Sequence, residues 1–250
     1  MDNTLLEITD LHVGYGEVPV LRGISIYLHS QERIGLFGPN GHGKTTLLRA
    51  ISGLIEPWRG EIKFEGKVIN GLRPRSIVDL GIIHVPQSNT LFPRMTVLEN
   101  LKLGAYSNKV WNDRQESLEF VYSLFPRLKE RRSQLCKTLS GGERQMLAIG
   151  VGLMGKGSLL MLDEPTLGLA PKIKEELHDA IQKISATGIP LILVEQDVEF
   201  LLSLTDRLYL IEKGSIVLEK TEDSEELEHT KILEMYFGNV VQTETQLGTS

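Results

Sequence analysis

The stretch Gly38-Pro39-Asn40-Gly41-His42-Gly43-Lys44-Thr45-Thr46 constrains this chain more than any other. It satisfies G-x-x-x-x-G-K-[ST] at every fixed position. Glycines permit a tight backbone nest whose N–H groups point inward at phosphate oxygens. Lys44 brings a positive charge to β- and γ-phosphates, and the Thr45 hydroxyl is a ligand for Mg²⁺. A helix starting near Gly43 would add its positive end to the attraction. The flanks agree with the motif. Arg33-Ile34-Gly35-Leu36-Phe37 reads as a short buried strand, and Leu47, Leu48 and Ile51 keep helical spacing up to a stop at Gly53. An ordinary glycine-rich turn requires neither flank, so the stretch reads as a nucleoside triphosphate site.

With 250 residues, of which 41% are hydrophobic, the chain can bury a substantial core. A net charge of −6 argues against nucleic acid as a general partner. The single cysteine, Cys136, leaves no internal disulfide and fits a reducing cytosol. Met1-Asp2-Asn3-Thr4 is polar and acidic, unlike a signal peptide. Apolar runs such as Ile189 to Val194 are far shorter than a bilayer span. Work at a membrane would require another chain to do the spanning.

Taken in order, Leu6, Ile8, Leu11 and Val13 alternate as a strand, and Ile24, Ile26 and Leu28 as its partner after a turn around Gly16 to Pro19. Tyr15, flanked by glycines, fits either stacking on a purine ring or a surface position in the turn. Ile62 to Ile69 reads as a hairpin, and Ile82 to Val85 as a buried strand that delivers Gln87 to its end. There Gln87 is either a metal-reaching amide or a plain loop residue. From about residue 88 to 155 the periodicity is helical, with a capping box at Thr96-Val97-Leu98-Glu99 and an amphipathic stretch over Leu118 to Phe125. Leu91, Phe92 and Met95 form a core segment or a partner surface. In Leu139-Ser140-Gly141-Gly142-Glu143, S-x-x-E is a capping box, while the two glycines leave bare N–H groups for a phosphate. Leu159 to Leu162 is a strand ending in Asp163-Glu164, an acidic pair suited to holding Mg²⁺ (Asp163) and activating water (Glu164). Pro171 opens a helix that stops at Gly188, and Leu191 to Val194 delivers Glu195-Gln196-Asp197 to the same edge. A hairpin follows over Tyr209 to Leu218. Glu222 to Glu228 reads as a solvated acidic cluster, Ile232 to Phe237 as a short docking helix, and the polar end from Gln242 as frayed.

Tyr15, the Gly38 to Thr46 loop, Gln87, Leu139 to Glu143 and Asp163-Glu164, in this order, resemble the nucleotide-binding subunit of ABC transporters. The resemblance spans Leu6 to about Gly238. It implies an α/β P-loop NTPase fold with a RecA-like core, an N-terminal antiparallel β subdomain and an inserted helical lobe. Residues 1–238 would form one ATPase domain, with the lobe at about 88–155, and residues 239–250 a flexible tail. It further implies ATP and Mg²⁺ as ligands. Tyr15 would stack on adenine, Gly38 to Thr46 would cradle phosphate, and Thr45, Gln87 and Asp163 would attend the metal. Lys44, Gln87, Glu164 and Gln196 would serve catalysis. Ser140, Gly141, Gly142 and Glu143 would close on nucleotide held by a second ATPase subunit, alike or different, in a head-to-tail dimer. Transmembrane permease subunits, and indirectly a solute-binding protein, would complete the assembly at the cytoplasmic face of the inner or plasma membrane.

Finer details resemble the branched-chain amino acid and urea/amide uptake systems: Leu124 to Leu128, Gln145 to Gly150, Pro165 to Pro171, and Val194-Glu195-Gln196-Asp197. The chain departs from the common family pattern at three places. Gln196 replaces a switch histidine, so this position carries no titrating charge near neutral pH. Ala170 replaces an acidic residue, and Val151-Gly152 replaces Arg-Ala. The rival expectation is a soluble ABC ATPase acting mechanically on ribosomes or DNA, but the chain holds neither a second cassette nor a long coiled-coil insertion.

Overall fold

The computed structural model describes residues 4–87, 91–106 and 108–221. The acidic cluster from Glu222, the segment Ile232 to Phe237 and the terminal tail expected above therefore lie outside the described residues.

Strands β1 (Thr4–Tyr15) and β2 (Val18–His29) pair antiparallel and bury Leu6, Ile8, Leu11 and Val13 together with Ile24, Ile26 and Leu28. The turn between them is shorter than the pattern implied. Only Gly16 and Glu17 separate the strands, with Gly16 at φ 59°, and Pro19 lies inside β2. Proline is tolerated there because β2 is the edge of its sheet. After β3 (Arg33–Phe37) comes α1 (Lys44–Ile51), then β4 (Arg59–Phe64) and β5 (Lys67–Val68), which join the first sheet in the order β2-β1-β4-β5. Helix α2 (Pro74–Asp79) buries only Ile77, too little apolar spacing to announce itself in the sequence.

Strand β6 (Ile82–Val85) precedes the helical lobe: α3 (Val97–Gly104), α4 (Asn108–Trp111), α5 (Arg114–Leu124), α6 (Pro126–Glu130) and α7 (Gly141–Leu153). Then follow β7 (Leu159–Asp163), α8 (Pro171–Ser185), β8 (Leu191–Val194), α9 (Val198–Leu202), β9 (Arg207–Glu212) and β10 (Ser215–Thr221). The second sheet runs β10-β9-β3-β8-β7-β6, parallel except for β10. Its central strands are buried on both faces, as the unbroken runs Leu159 to Leu162 and Leu191 to Val194 require. Because β3, β6, β7 and β8 run the same way, the residues that follow them gather at one edge.

The lobe packs closely against this sheet, and that packing explains one departure in sequence. A Cβ on Gly152 would lie 2.8 Å from Val85 Cγ2, and one on Gly104 only 2.1 Å from the Val151 carbonyl oxygen. The Val151-Gly152 pair is thus a point of close approach between α7, α3 and β6. A larger residue at 152 would cost about 1–3 kcal/mol in overpacking.

Candidate functional site

The phosphate-loop motif links β3 to α1 at the shared strand edge. Gly38 at φ 141° lies so close to β9 that a Cβ would sit 2.1 Å from the Ile211 carbonyl oxygen. Gly43 at φ 110° leads into the helix. Only glycine holds both conformations without strain. Asn40, Gly41, Gly43, Lys44, Thr45, Thr46, Gln87, Glu164, Leu167 and Gln196 line one cavity of about 350 Å³. Lys44 is 4% exposed, and its Nζ donates to the carbonyls of Gly38 at 2.7 Å and Pro39 at 3.1 Å. These bonds fold the lysine back over its own loop.

At the ends of β7 and β8 the sequence supplies acid. Thr45 Oγ1 donates to Asp163 Oδ1 at 3.1 Å, while Asp163 Oδ2 is buried and has no hydrogen-bond partner among the described residues. Glu164 takes a left-handed backbone at φ 47°, uncommon for a residue with a side chain, and its N–H donates to the Val194 carbonyl at 2.8 Å. Glu164 Oε2 accepts from Gln87 Nε2 and from Gln196 Nε2, both at 3.0 Å, and Oε1 lies 3.8 Å from Lys44 Nζ. Asn40 Nδ2 donates in turn to Gln196 Oε1 at 3.5 Å, a long contact.

One carboxylate missing from the candidates read in sequence is Glu195. It is 3% exposed at the end of β8 and accepts from the Thr166 N–H at 2.7 Å. A carboxylate directly following a fully apolar strand was the signal that could have found it. Burial pulls the Lys44 ammonium below its ordinary value, against the opposing pull of Glu164, Asp163 and Glu195. Burial raises the Asp163 and Glu195 carboxyls above theirs, against the hydrogen bonds from Thr45 and Thr166. Three buried carboxylates thus face one buried ammonium. The site is short of positive charge, and an incoming polyphosphate would meet repulsion without an added cation. The donor set is hard oxygen (Thr45, Asp163), which suits Mg²⁺. Among the described residues no group of three or more His, Cys, Asp or Glu side chains has the geometry to hold a metal alone. Phosphate and water would have to complete the shell.

Among the expected site residues, Gly38, Pro39 and Asp163 do not line this cavity but bond to Lys44 or Thr45, which do; Tyr15, His42 and Ser140 to Glu143 are also absent from its lining. Tyr15 is the last residue of β1 rather than a loop residue; it is 46% exposed, and its hydroxyl accepts from Arg49 Nη1 at 3.0 Å. His42, alone among residues 40–46, does not line the cavity; its ring Nδ1 accepts the Lys213 N–H at 3.2 Å. Ser140 to Glu143 open α7 in the helical lobe. Ser140 Oγ accepts the Glu143 N–H at 3.3 Å, and Glu143 Oε2 accepts the Ser140 N–H at 2.9 Å. Glu143 is buried and also pairs with Arg131 at 2.9 Å, so its carboxylate is committed within the fold. Burial alone would raise that carboxyl, yet the Ser140 hydrogen bonds and the Arg131 and Arg127 charges hold it below its ordinary range. The two glycines separate in role. A Cβ on Gly142 would lie 2.7 Å from the Ile173 side chain, whereas nothing lies within 4 Å of one on Gly141. Packing against α8 explains Gly142, whereas Gly141 is open to solvent.

Residues 21–167 match the ABC transporter family. The chain is 39% identical over 234 residues to the high-affinity branched-chain amino acid transport ATP-binding protein BraG of Pseudomonas aeruginosa, covering 94% of this chain and 100% of that protein. It is 36% identical to the probable branched-chain amino acid transport ATP-binding protein LivF of Archaeoglobus fulgidus, with coverage of 94% and 100%. Among solved structures it resembles the ADP conformation of an ATP-binding cassette of an ABC transporter, with a TM-score of 0.80, 27% identity, and coverage of 94% and 99%. A nucleotide-free ATP-binding cassette from an ABC transporter gives a TM-score of 0.80 at 26% identity, covering 92% and 95%.

Proposed function

This chain belongs to the ABC transporter family as an ATP-binding, ATP-hydrolysing subunit, and from that premise we propose that it drives uptake of branched-chain amino acids. The single observation that carries the substrate class is near full-length similarity to two branched-chain amino acid transport proteins from different organisms. Urea or short amides are the nearest substrate class to set beside it. A soluble mechanical role on ribosomes or DNA is not favoured.

In the mechanism we infer, the loop N–H groups and Lys44 receive the β- and γ-phosphates. Lys44 then exchanges its Gly38 and Pro39 carbonyl partners for phosphate oxygens. Thr45 and Asp163 would hold Mg²⁺, with the amide oxygen of Gln87 as a further ligand; when bound, the metal would supply neutralisation of phosphate charge. The partnerless Asp163 Oδ2 is the atom that supports this assignment. Glu164 takes a proton from the attacking water, and Gln196 donates to the γ-phosphate. Tyr15 stacks on adenine from the end of β1. Ser140 and the open backbone at Gly141 close on nucleotide held by a second, head-to-tail ATPase subunit, while Gly142 and Glu143 shape that helix start. Because the Ser140 to Glu143 turn is outside the chain's own cavity, a second subunit is the natural source of that contact. Among the described residues no helix is long and apolar enough to cross a membrane, so separate permease subunits would carry the solute. The chain would then sit at the cytoplasmic face of the inner or plasma membrane, with a solute-binding protein on the far side.

The test is affinity purification from native membranes in mild detergent, with the co-purifying proteins identified by mass spectrometry. Two permeases and a related ATPase are the expected result, and the binding protein's ligand should be a branched aliphatic amino acid. Recovery only with ribosomal or DNA-repair proteins would overturn the transport reading.

A further inference from the structure

His42 is the one residue between Asn40 and Thr46 that does not line the cavity. Its side chain and main chain both grip the two-residue turn joining β9 to β10. Nδ1 accepts the Lys213 N–H at 3.2 Å, and the His42 carbonyl accepts the Gly214 N–H at 3.2 Å. That turn is fixed on its other side by β2. The Gly214 carbonyl accepts the Arg22 N–H at 2.8 Å, and a Cβ on Gly214 would meet the Val20 carbonyl oxygen at 1.9 Å. The start of β2 pairs with Tyr15, through Tyr15 opposite Val18. A continuous chain of contacts therefore runs from the phosphate loop, through the β9–β10 turn, to the strand pair that carries the exposed tyrosine.

We propose that His42 is a positioning residue that pins the phosphate loop to the β9–β10 turn only while its imidazole is neutral, making nucleotide affinity fall on acidification. The proposal rests on the nucleotide-site reading above. An Nδ1 lone pair is required to accept the Lys213 N–H, and an imidazolium has none to offer. The charged groups facing the ring are Glu212 from the end of β9, Lys213 from the turn and Lys44 from α1. Burial is the largest influence and holds the ring below its ordinary value; Glu212 acts in the opposite direction, and the two lysines reinforce the lowering. At neutral pH the pin is in place. Because the ring is held below its ordinary value, the pin persists through the ordinary histidine range and is lost only on further acidification.

The experiment is a titration of the full-length wild type, His42→Asn and His42→Ala with a fluorescent ATP analogue and Mg²⁺ from about pH 8 to about pH 5, a range that extends below an ordinary histidine. Asparagine places a carbonyl oxygen where Nδ1 stands and does not titrate. Expressing each wild-type Kd relative to that of His42→Asn at the same pH cancels titration of the analogue and of the shared carboxylates. That ratio should rise about threefold to tenfold from high to low pH, the range for losing one neutral hydrogen bond. His42→Ala should bind more weakly by a similar factor at every pH. Parallel wild-type and asparagine profiles would overturn the proposal, as would wild-type affinity rising on acidification through attraction of phosphate to the imidazolium. Failure of all three proteins to bind the analogue would instead refute the nucleotide-site reading itself.

Discussion

Replacing Glu164 by glutamine should separate nucleotide binding from nucleotide turnover. In the resting site the carboxylate accepts from Gln87 and Gln196 and lies 3.8 Å from Lys44 Nζ. With an effective dielectric near 20, attraction to Lys44 at that distance is about 4 kcal/mol. The amide forfeits that attraction, and two charge-assisted hydrogen bonds become neutral ones, each weaker by about 1 kcal/mol. Against this, a buried carboxylate no longer needs desolvating, and repulsion with neighbouring Asp163 disappears. These terms oppose one another, so fold stability and ATP affinity should change little, with Kd within about threefold of wild type. The chemical step has no such compensation. An amide takes no proton from water, and general-base loss costs about 10²–10⁴ in rate, or about 3–5 kcal/mol of barrier. The assay is phosphate release by the assembled complex at saturating ATP, with nucleotide affinity measured separately by equilibrium binding. A fall in kcat of less than about tenfold would remove Glu164 as the base. A loss of affinity matching the loss of rate would show that its main role is in the ground state.

The two glycines opening α7 should respond differently to alanine. Gly142→Ala, facing Ile173, should lower unfolding stability by about 1–3 kcal/mol. Gly141→Ala should leave the urea midpoint unchanged while reducing ATPase activity of the assembled complex; equal effects of the two on stability would contradict the packing described here. Separately, His84 should make the fold acid-sensitive. Ser52 Oγ donates to the Leu48 carbonyl and so accepts the His84 Nδ1 hydrogen, leaving Nε2 buried without a partner among the described residues. Burial, aided by Arg49, lowers this ring to about 4. An unfolded histidine binds its proton near pH 6.5, so stability should fall as pH drops from about 6.5 to about 4, by up to about 3 kcal/mol. Urea unfolding at neutral and acidic pH should show this loss in wild type and a smaller one in His84→Asn; parallel losses would refute it.

The phosphate loop, the acidic pair and the buried strands were legible because local chemistry dictates each. Glycine at positive φ, an apolar run closed by acid and a hydroxyl beside the loop lysine need no knowledge of distant contacts. Helix α2 was not legible because a single buried isoleucine sets no period. Glu195 was seen at the correct edge, but its burial depends on Thr166, 29 residues away. Gly142 illustrates the same limit. Its sequence neighbours point to a bare helix start, whereas the space it vacates is filled by Ile173 from another element. The direction of the His42 ring was equally hidden, since its partner Lys213 is 171 positions along the chain.

The helical lobe is, topologically, one oversized crossover between the neighbouring parallel strands β6 and β7. It must leave at the nucleotide edge and return at the opposite one. The return is clasped: the Ser158 and Leu159 N–H groups both donate to the Gly81 carbonyl, at 2.8 and 3.1 Å, immediately before β6. That clasp holds the end of β6 and β7 opposite to the one where Gln87 and Glu164 lie. Force applied to the lobe from outside would be resisted at the clasp and would bear instead on the far end of the two strands. The joint under load there is the hydrogen bond between Gln87 and Glu164.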